Sequence, residues 1–187
     1  MRKLLNRELG RKSTEEYRNS EKSLIVIVLD NVRSHNNVGS VFRTADAFLT
    51  GKIFLCGITA KPPHRDIQKT ALGATESVDW SYHESTLDVV RALKADGYKI
   101  IGIEQTEGSV GLQDIKTEKG QKYALIFGHE VNGVDQKVID LCDICVEIPQ
   151  FGTKHSFNIA VSAGIVLWEM NKNLTLNPSA RGEERLL

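Results

Sequence analysis

The feature that most constrains the fold of this chain is a continuous aliphatic run at residues 24–29, which reads LIVIVL. A strand with one face in water alternates apolar and polar residues. An unbroken run rich in β-branched side chains therefore predicts a strand buried on both faces. Similar short runs recur at residues 52–56, 78–82, 98–103, 123–127 and 144–148. All are far shorter than the roughly 18 apolar residues that a membrane span needs, so they predict strands of a sheet.

Helical patterns separate these strands. Polar helices are expected within residues 1–20, and Asn36 or Asn37 is predicted to cap a helix that Gly51 ends. An amphipathic helix is predicted from its cap at Ser85 to Gly97, and further helices at residues 66–72, 135–141 and 156–170. Strands that alternate with helices predict an α/β fold, with a mostly parallel sheet and helices on both faces.

The length of 187 residues is that of one domain with a short extension. We expect a helical N-terminal extension at residues 1–22, the main domain at residues 23–172 and a polar C-terminal tail at residues 173–187. The first residues lack the apolar segment of a signal peptide, and three cysteines are an odd number. Both features predict a cytoplasmic protein with no membrane association.

The charge pattern leaves the choice of partner open. The formal net charge is zero, whereas many nucleic-acid binders are basic. Residues 1–22 nevertheless hold seven Lys/Arg against four Glu. A second basic group consists of Lys61, His64, Arg65 and Lys69. Each of these groups is equally typical of a solvated surface, so charge neither requires nor excludes RNA.

Several ligand motifs are missing. The first strand is not followed by G-x-G-x-x-G, and the chain has no G-x-x-x-x-G-K-[ST], which disfavours dinucleotide and triphosphate binding. Cys142 and Cys145 form a single C-x-x-C without a second pair, and the histidines show no ligand spacing, so no metal site is predicted. His129 and His155 are candidates for the lining of a cleft.

Three strand-to-helix loops carry unusual sets of polar residues and glycines. They lie at residues 31–46, 124–134 and 148–161. Taken singly, each has an ordinary structural explanation, because Asn and Ser cap helices and Gly permits tight turns. In a parallel sheet, however, such loops meet at the edge formed by the carboxyl ends of the strands, where ligands bind. Together they therefore predict one binding cleft.

The three loops resemble the three sequence motifs of the SpoU class in the SPOUT methyltransferase superfamily. The matching segments are NNVGSVFRTADAF, ALIFGHEVNGV and IPQFGTKHSFNIAVSAGIVLWE, in the order expected, and the resemblance covers roughly residues 24–170. It implies a deep trefoil knot in the C-terminal part of the domain. It also implies a homodimer, for which the final helix, including Val166, Leu167 and Trp168, is a candidate contact face.

The resemblance further implies an enzyme that moves a methyl group from S-adenosylmethionine to a ribose 2′-hydroxyl of RNA without a metal. Arg43 corresponds to the proposed base of the family. Since a guanidinium is a poor proton acceptor, Arg43 is also interpreted as a group that positions phosphate and polarises the hydroxyl. The other implied catalytic residues are Asn37, Glu130, Ser156 and Asn158, and the implied cofactor-binding residues are Gln105, Thr106, Gly128, Ile148 and Phe157.

The sequence leaves three alternatives open. The substrate is expected to be tRNA, because the chain is similar in size to tRNA-modifying members and has a basic N-terminal segment, but rRNA is not excluded. A knotted RNA-binding module without catalysis, or an α/β enzyme for another small ligand, is the competing hypothesis. Gln150 and Phe157 stand where many relatives have Met and Leu, which predicts a reshaped adenine pocket.

Overall fold

The structure, a computed structural model, describes residues 1–174. Seven strands form one sheet in the order β3-β2-β1-β6-β4-β7-β5, and all six strand pairs are parallel. The parallel sheet predicted from the sequence is therefore confirmed. The strands are β1 (Ile25–Asp30), β2 (Lys52–Cys56), β3 (Trp80–His83), β4 (Tyr98–Ile103), β5 (Val110–Gly111), β6 (Lys122–Phe127) and β7 (Ile144–Glu147).

Helices connect the strands and cover both faces of the sheet. They are α1 (Thr14–Asn19), α2 (His35–Ala47), α3 (Arg65–Ala71), α4 (Ala74–Ser77), α5 (Thr86–Ala95), α6 (Gln136–Ile139) and α7 (Ile159–Leu174). Single 3₁₀ turns lie at Asn6–Glu8 and Leu112–Asp114. The two-residue strand β5 and the helix α4 were not predicted, because segments this short carry no periodic signal.

The central strand β1 is buried along its whole length. Ile25, Ile27 and Leu29 point into a core shared with α2 and α7, whereas Val26 and Val28 point into a second core beneath α5 and α6. Burying an aliphatic side chain of this size contributes about 1.5–3 kcal/mol to stability. The continuous run of the sequence therefore reflects a strand with apolar neighbours on both sides.

Two predicted helix starts are wrong in detail. The cap of α2 is Ser34, whose hydroxyl accepts a hydrogen bond from the Asn37 backbone N–H at 3.3 Å, and not Asn36 or Asn37. As a result, the Asn37 side chain is free for tertiary contacts. The last helix begins at Ile159, not at residue 156, and the Asn158 side chain accepts a hydrogen bond from the Ala160 N–H at 2.9 Å. The predicted cap at Ser85 is confirmed.

Two further predictions, the end of α2 and the contact face on α7, also need correction. Helix α2 ends at Ala47 and the chain turns through Leu49, which has a φ of 50°, before it reaches Gly51. Val166 and Leu167 of α7 are fully buried in the core of their own chain, so they cannot form a contact face. Of the three residues predicted for that face, only Trp168 is exposed, at 59%.

The N-terminal segment packs on the main domain. Tyr17 of α1 is 4% exposed and belongs to the same core as β1. The Arg18 guanidinium donates hydrogen bonds to the Glu76 carbonyl at the end of α4. The boundary between residues 22 and 23 stays a prediction. Most of the predicted tail, from residue 175 onward, lies outside the described residues.

The close approach of α2 and α3 generates a stability prediction. A Cβ on Gly39 would lie against the Ile67 carbonyl and the Thr70 hydroxyl, well inside van der Waals distance. We expect Gly39→Ala to lower the free energy of unfolding by about 1–3 kcal/mol, because the backbone must move to relieve the overlap. Equilibrium urea unfolding measures this change.

Gly164→Ala is the matched control, since Gly164 also lies in a helix but an added Cβ there meets only Thr44, at 4.0 Å. This substitution should be neutral or stabilising by up to about 1 kcal/mol, because Ala has the higher helix propensity. Equal losses for the two variants would contradict the packing described here.

Candidate active site

A cavity of about 530 Å³ opens at the carboxyl ends of β4, β6 and β7. This is the edge of the sheet where the second and third polar loops were predicted to meet. The lining comes from the segments that follow these strands and from the start of α7. The lining residues are Ile103, Glu104, Gln105, Phe127, Gly128, His129, Glu130, Val131, Asn132, Gly133, Val146, Glu147, Ile148, Gln150, His155, Ser156, Phe157, Asn158, Ile159 and Ser162.

The Glu130 carboxylate connects this cavity to the first loop. It accepts hydrogen bonds from the backbone N–H groups of Ser34, at 2.9 Å, and Arg33, at 3.1 Å. The Asn37 side-chain amide donates a third hydrogen bond to it, at 3.2 Å. Both carboxylate oxygens are therefore engaged, and the loop that precedes α2 is attached to the segment after β6.

Asn37 also connects the first loop to the third. The Asn158 amide donates a hydrogen bond to the Asn37 side-chain oxygen at 3.0 Å. The other end of the Asn158 amide is fixed by the N–H of Ala160 in the first turn of α7. One continuous network thus joins one residue from each of the three predicted motifs.

The electrostatics of Glu130 follow from these contacts. Partial burial alone would raise the pKa of the Glu130 carboxyl, but the hydrogen bonds from Ser34, Arg33 and Asn37 outweigh it and hold the pKa below its ordinary value. The side chain is nonetheless exposed. At neutral pH it is a fixed carboxylate, suited to orienting neighbouring groups rather than to taking up a proton.

Most of the predicted cofactor residues lie on the cavity wall, namely Gln105, Gly128, Ile148 and Phe157. Thr106, the alternative to Gln105, is not among the lining residues. The Gln105 side chain donates a hydrogen bond to the His155 carbonyl at 2.8 Å, which joins the segment after β4 to the third loop. Gly128 is required, because a Cβ there would overlap the backbone of Gly133 and Val134.

The predicted catalytic residues fall into two groups. Ser156 lines the cavity with Glu130 and Asn158, and Asn37 bonds to the latter two. Arg43 is exposed and is not a lining residue. It follows Asn37 by six residues on α2, about 9 Å along the helix axis, and within residues 1–174 it makes no hydrogen bond or ion pair. The cavity of a single chain therefore does not include the Arg43 guanidinium.

The sequence reasoning missed two carboxylates that shape the site. Glu104 lines the cavity and accepts hydrogen bonds from the N–H groups of Val134 and Gln105, both at 3.0 Å. Asp30, 1% exposed at the end of β1, accepts from the Asp135 N–H at 3.0 Å and the Thr86 hydroxyl at 2.5 Å. The sequence did carry a signal for both residues, because each is an acidic residue directly at the carboxyl end of a buried strand.

His129 and His155, the two histidine candidates for the lining of a cleft, both line the cavity. The His129 Nδ1 accepts hydrogen bonds from the N–H groups of Val131 and Asn132, so that ring shapes the turn after β6. The described residues contain no group of three or more His, Cys, Asp or Glu able to hold a metal ion. No helix within residues 1–174 has the length and apolarity needed to cross a bilayer.

Comparison with known proteins gives consistent matches. The model of the SpoU rRNA Methylase family matches residues 24–168. A 23S rRNA (guanosine-2′-O-)-methyltransferase of Neisseria meningitidis is 30% identical over 153 residues, which are 81% of this chain and 60% of the relative. A tRNA (guanosine(18)-2′-O)-methyltransferase of Aquifex aeolicus is 29% identical over 173 residues, 88% of this chain and 78% of that protein.

A solved structure shares the fold. The structure of an rRNA methyltransferase from Sinorhizobium meliloti with bound S-adenosylmethionine superposes with a TM-score of 0.76 at 27% identity. The alignment covers 84% of this chain and 60% of the Sinorhizobium chain. This chain thus spans about 60% of the length of the Neisseria and Sinorhizobium proteins that it matches.

The pKa of Glu130 generates a pH-dependent prediction. Since the folded-state pKa is lowered, the contribution of Glu130 to stability is present above its ordinary pKa of about 4.3 and is lost as the pH falls through the lowered value. We expect wild type to be more stable than Glu130→Gln near neutral pH. The difference should shrink as the pH is lowered from about 7 toward about 3, and it should be small because the carboxylate is exposed.

Urea unfolding of both proteins across this pH range measures the effect. All other titrating groups are common to the two proteins, so the difference between them isolates Glu130. A difference that grows on acidification would show that the hydrogen bonds around Glu130 are not formed.

Proposed function

Because the chain belongs to the SpoU rRNA Methylase family, we propose that it is an RNA methyltransferase that acts on a ribose 2′-hydroxyl with S-adenosylmethionine as donor. The observation that carries this proposal is the network of Asn37, Glu130 and Asn158 beside the cavity. These residues lie far apart in the sequence and come from all three motifs. A binding module without catalysis has no need to keep this network of polar side chains intact.

The residues of the cavity fit S-adenosylmethionine. Within residues 1–174, the lining includes the carboxylates of Glu104, Glu130 and Glu147 and no Lys or Arg, which suits a ligand with a positive sulfur and ammonium. Ile148 and Phe157 offer apolar surface for an adenine ring, while backbone groups around Gly128 are available to its polar edge. When bound, the cofactor supplies an activated methyl group, so no metal is required.

The chain's own groups would then orient the ribose. The Glu130 carboxylate and the Asn158 amide are held in place by their neighbours, which favours positioning of a hydroxyl without loss of side-chain entropy. We assign Arg43 the positioning of an RNA phosphate and polarisation of the 2′-hydroxyl, because a guanidinium presents several N–H donors in a geometry that matches phosphate oxygens.

We also propose a homodimer in which Arg43 of one subunit faces the cavity of the other. Arg43 is exposed and lies outside the cavity of its own chain. Val161 and Trp168 form an exposed apolar face on α7, at 49% and 59% exposure, and α7 packs beside α2, which carries Arg43. Contact through this face would bury apolar surface and bring the two subunits' motifs together.

We also propose the class of RNA substrate, the topology of the C-terminal part of the domain and the location. Both tRNA and rRNA enzymes are among the similar proteins, and we favour tRNA because of the basic residues within 1–22. A trefoil knot formed by the C-terminal part of the domain and a cytoplasmic location complete the proposal. The competing function is a knotted RNA-binding module that transfers no methyl group.

Methyl transfer tests the proposed activity. Wild type is expected to move label from S-adenosylmethionine into bulk RNA from a strain that lacks the gene, and digestion with mass spectrometry identifies the methylated nucleotide. Asn158→Ala and Arg43→Ala should each lower the rate by about 100-fold or more, because orientation of the ribose and polarisation of the 2′-hydroxyl are lost. Arg91→Ala, a change to an exposed arginine on α5 paired with Asp88, is the matched control and should keep the wild-type rate.

Absence of transfer by wild type into any RNA fraction, with RNA binding retained, would favour the non-catalytic module. Label found on a base rather than on a ribose would contradict the assigned reaction. Equal rates for wild type and Arg43→Ala would remove Arg43 from the site.

Co-expression of two inactive variants tests the shared site. A dimer of one Arg43→Ala subunit and one Asn158→Ala subunit has one cavity with intact Asn158 that faces an intact Arg43, so activity should return. If Arg43 served the cavity of its own chain, both sites would be defective and the mixed dimer would stay inactive. Sedimentation velocity of wild type and Trp168→Glu, in which the apolar face gains a charge, checks that the dimer forms through α7.

A further inference from the structure

Glu104 is one of three carboxylates on the cavity wall, and it has no part in positioning the ribose or the RNA phosphate. It is the first residue after β4, it is half-buried, and it lines the cavity. No sequence motif singled it out. The inference below rests on the proposed function, because it concerns the cofactor that the cavity would hold.

The surrounding backbone fixes the Glu104 carboxylate in place. One oxygen accepts a hydrogen bond from the Val134 N–H and the other from the Gln105 N–H, both at 3.0 Å. Gly133 makes the approach possible, because its φ is +68° and a Cβ on it would overlap the carboxylate. The carboxylate is therefore attached to the segment after β6 and cannot swing into solvent without breaking these contacts.

Neighbouring groups do not neutralise this charge. Both donors are uncharged N–H groups, and no Lys or Arg within residues 1–174 forms an ion pair with Glu104. Glu130, by comparison, has three donors on its two oxygens. Within residues 1–174, each Glu104 oxygen accepts one hydrogen bond and keeps a second lone pair, so the side chain presents a net negative charge to the cavity.

We propose that Glu104 makes the cavity discriminate the cationic donor from its neutral product. S-adenosylmethionine carries a positive sulfonium sulfur, whereas S-adenosylhomocysteine has lost the transferred methyl group, has an uncharged thioether and is otherwise the same. A fixed carboxylate on the cavity wall stabilises the first more than the second. Glu104 thus favours donor binding and product release, in addition to joining two of the loops.

Isothermal titration of the full chain with each of the two compounds tests this role. Glu104→Gln keeps the shape of the side chain and one acceptor oxygen but removes the charge. It should weaken S-adenosylmethionine binding by about 5- to 10-fold, the size of one charge interaction in a partly solvated site, and change S-adenosylhomocysteine binding by less than about 2-fold. The readout is the ratio of the two affinities and does not require turnover.

Glu107→Gln is the matched control. It removes one negative charge from the same loop, but Glu107 does not line the cavity. It should leave both affinities unchanged. S-adenosylhomocysteine binding by Glu104→Gln itself reports that the pocket is folded.

An equal loss of affinity for both compounds would overturn the inference and reduce Glu104 to a purely structural contact. Unchanged binding of both compounds would also overturn it. Wild-type protein that binds neither compound is a different result, which would overturn the proposed function itself.

Discussion

The site depends on the two hydrogen bonds that the side-chain amide of Asn37 makes. Its nitrogen donates to Glu130 and its oxygen accepts from Asn158, so one group satisfies a partner from each of the other two motifs. An amide has both a donor and an acceptor at fixed geometry, which neither a carboxylate nor an aliphatic residue of this size provides. The position of Asn37 is set in turn by Ser34, which caps α2 and leaves the Asn37 side chain free.

The rest of the fold keeps these groups in register. The parallel pairing of β1 with β6 and of β4 with β7 places the relevant strand ends at one edge of the sheet. Asp30 at the end of β1 fixes the start of α6 through the Asp135 N–H, and Glu104 fixes Val134 just before it. Hydrogen bonds from backbone N–H groups to a carboxylate are roughly twice as strong as neutral ones, so Asp30 and Glu104 hold these segments firmly.

The sequence was most informative where burial decides the structure. The strands β1 and β2 were predictable because a continuous or β-branched apolar run has few alternatives to a buried strand. The convergence of the second and third loops followed from the rule for parallel sheets. The cap of α2 was not predictable, because Ser34, Asn36 and Asn37 are all good caps and tertiary hydrogen bonds decide among them. The outward direction of Arg43 and the role of Glu104 depend on how α2 and the loop after β4 sit against their neighbours, which local patterns do not encode.

We expect the segments after β4, β6 and β7 to hold the cofactor in one cavity next to the Asn37 network. A crystal structure of the full chain grown with S-adenosylhomocysteine tests this most directly. We expect density for the compound against Gln105, Gly128 and Ile148, with the Asn37 amide still bonded to Glu130 and Asn158. Density for the compound at any other place on the chain, or a closed and empty cavity, would show that these three segments do not form the cofactor site.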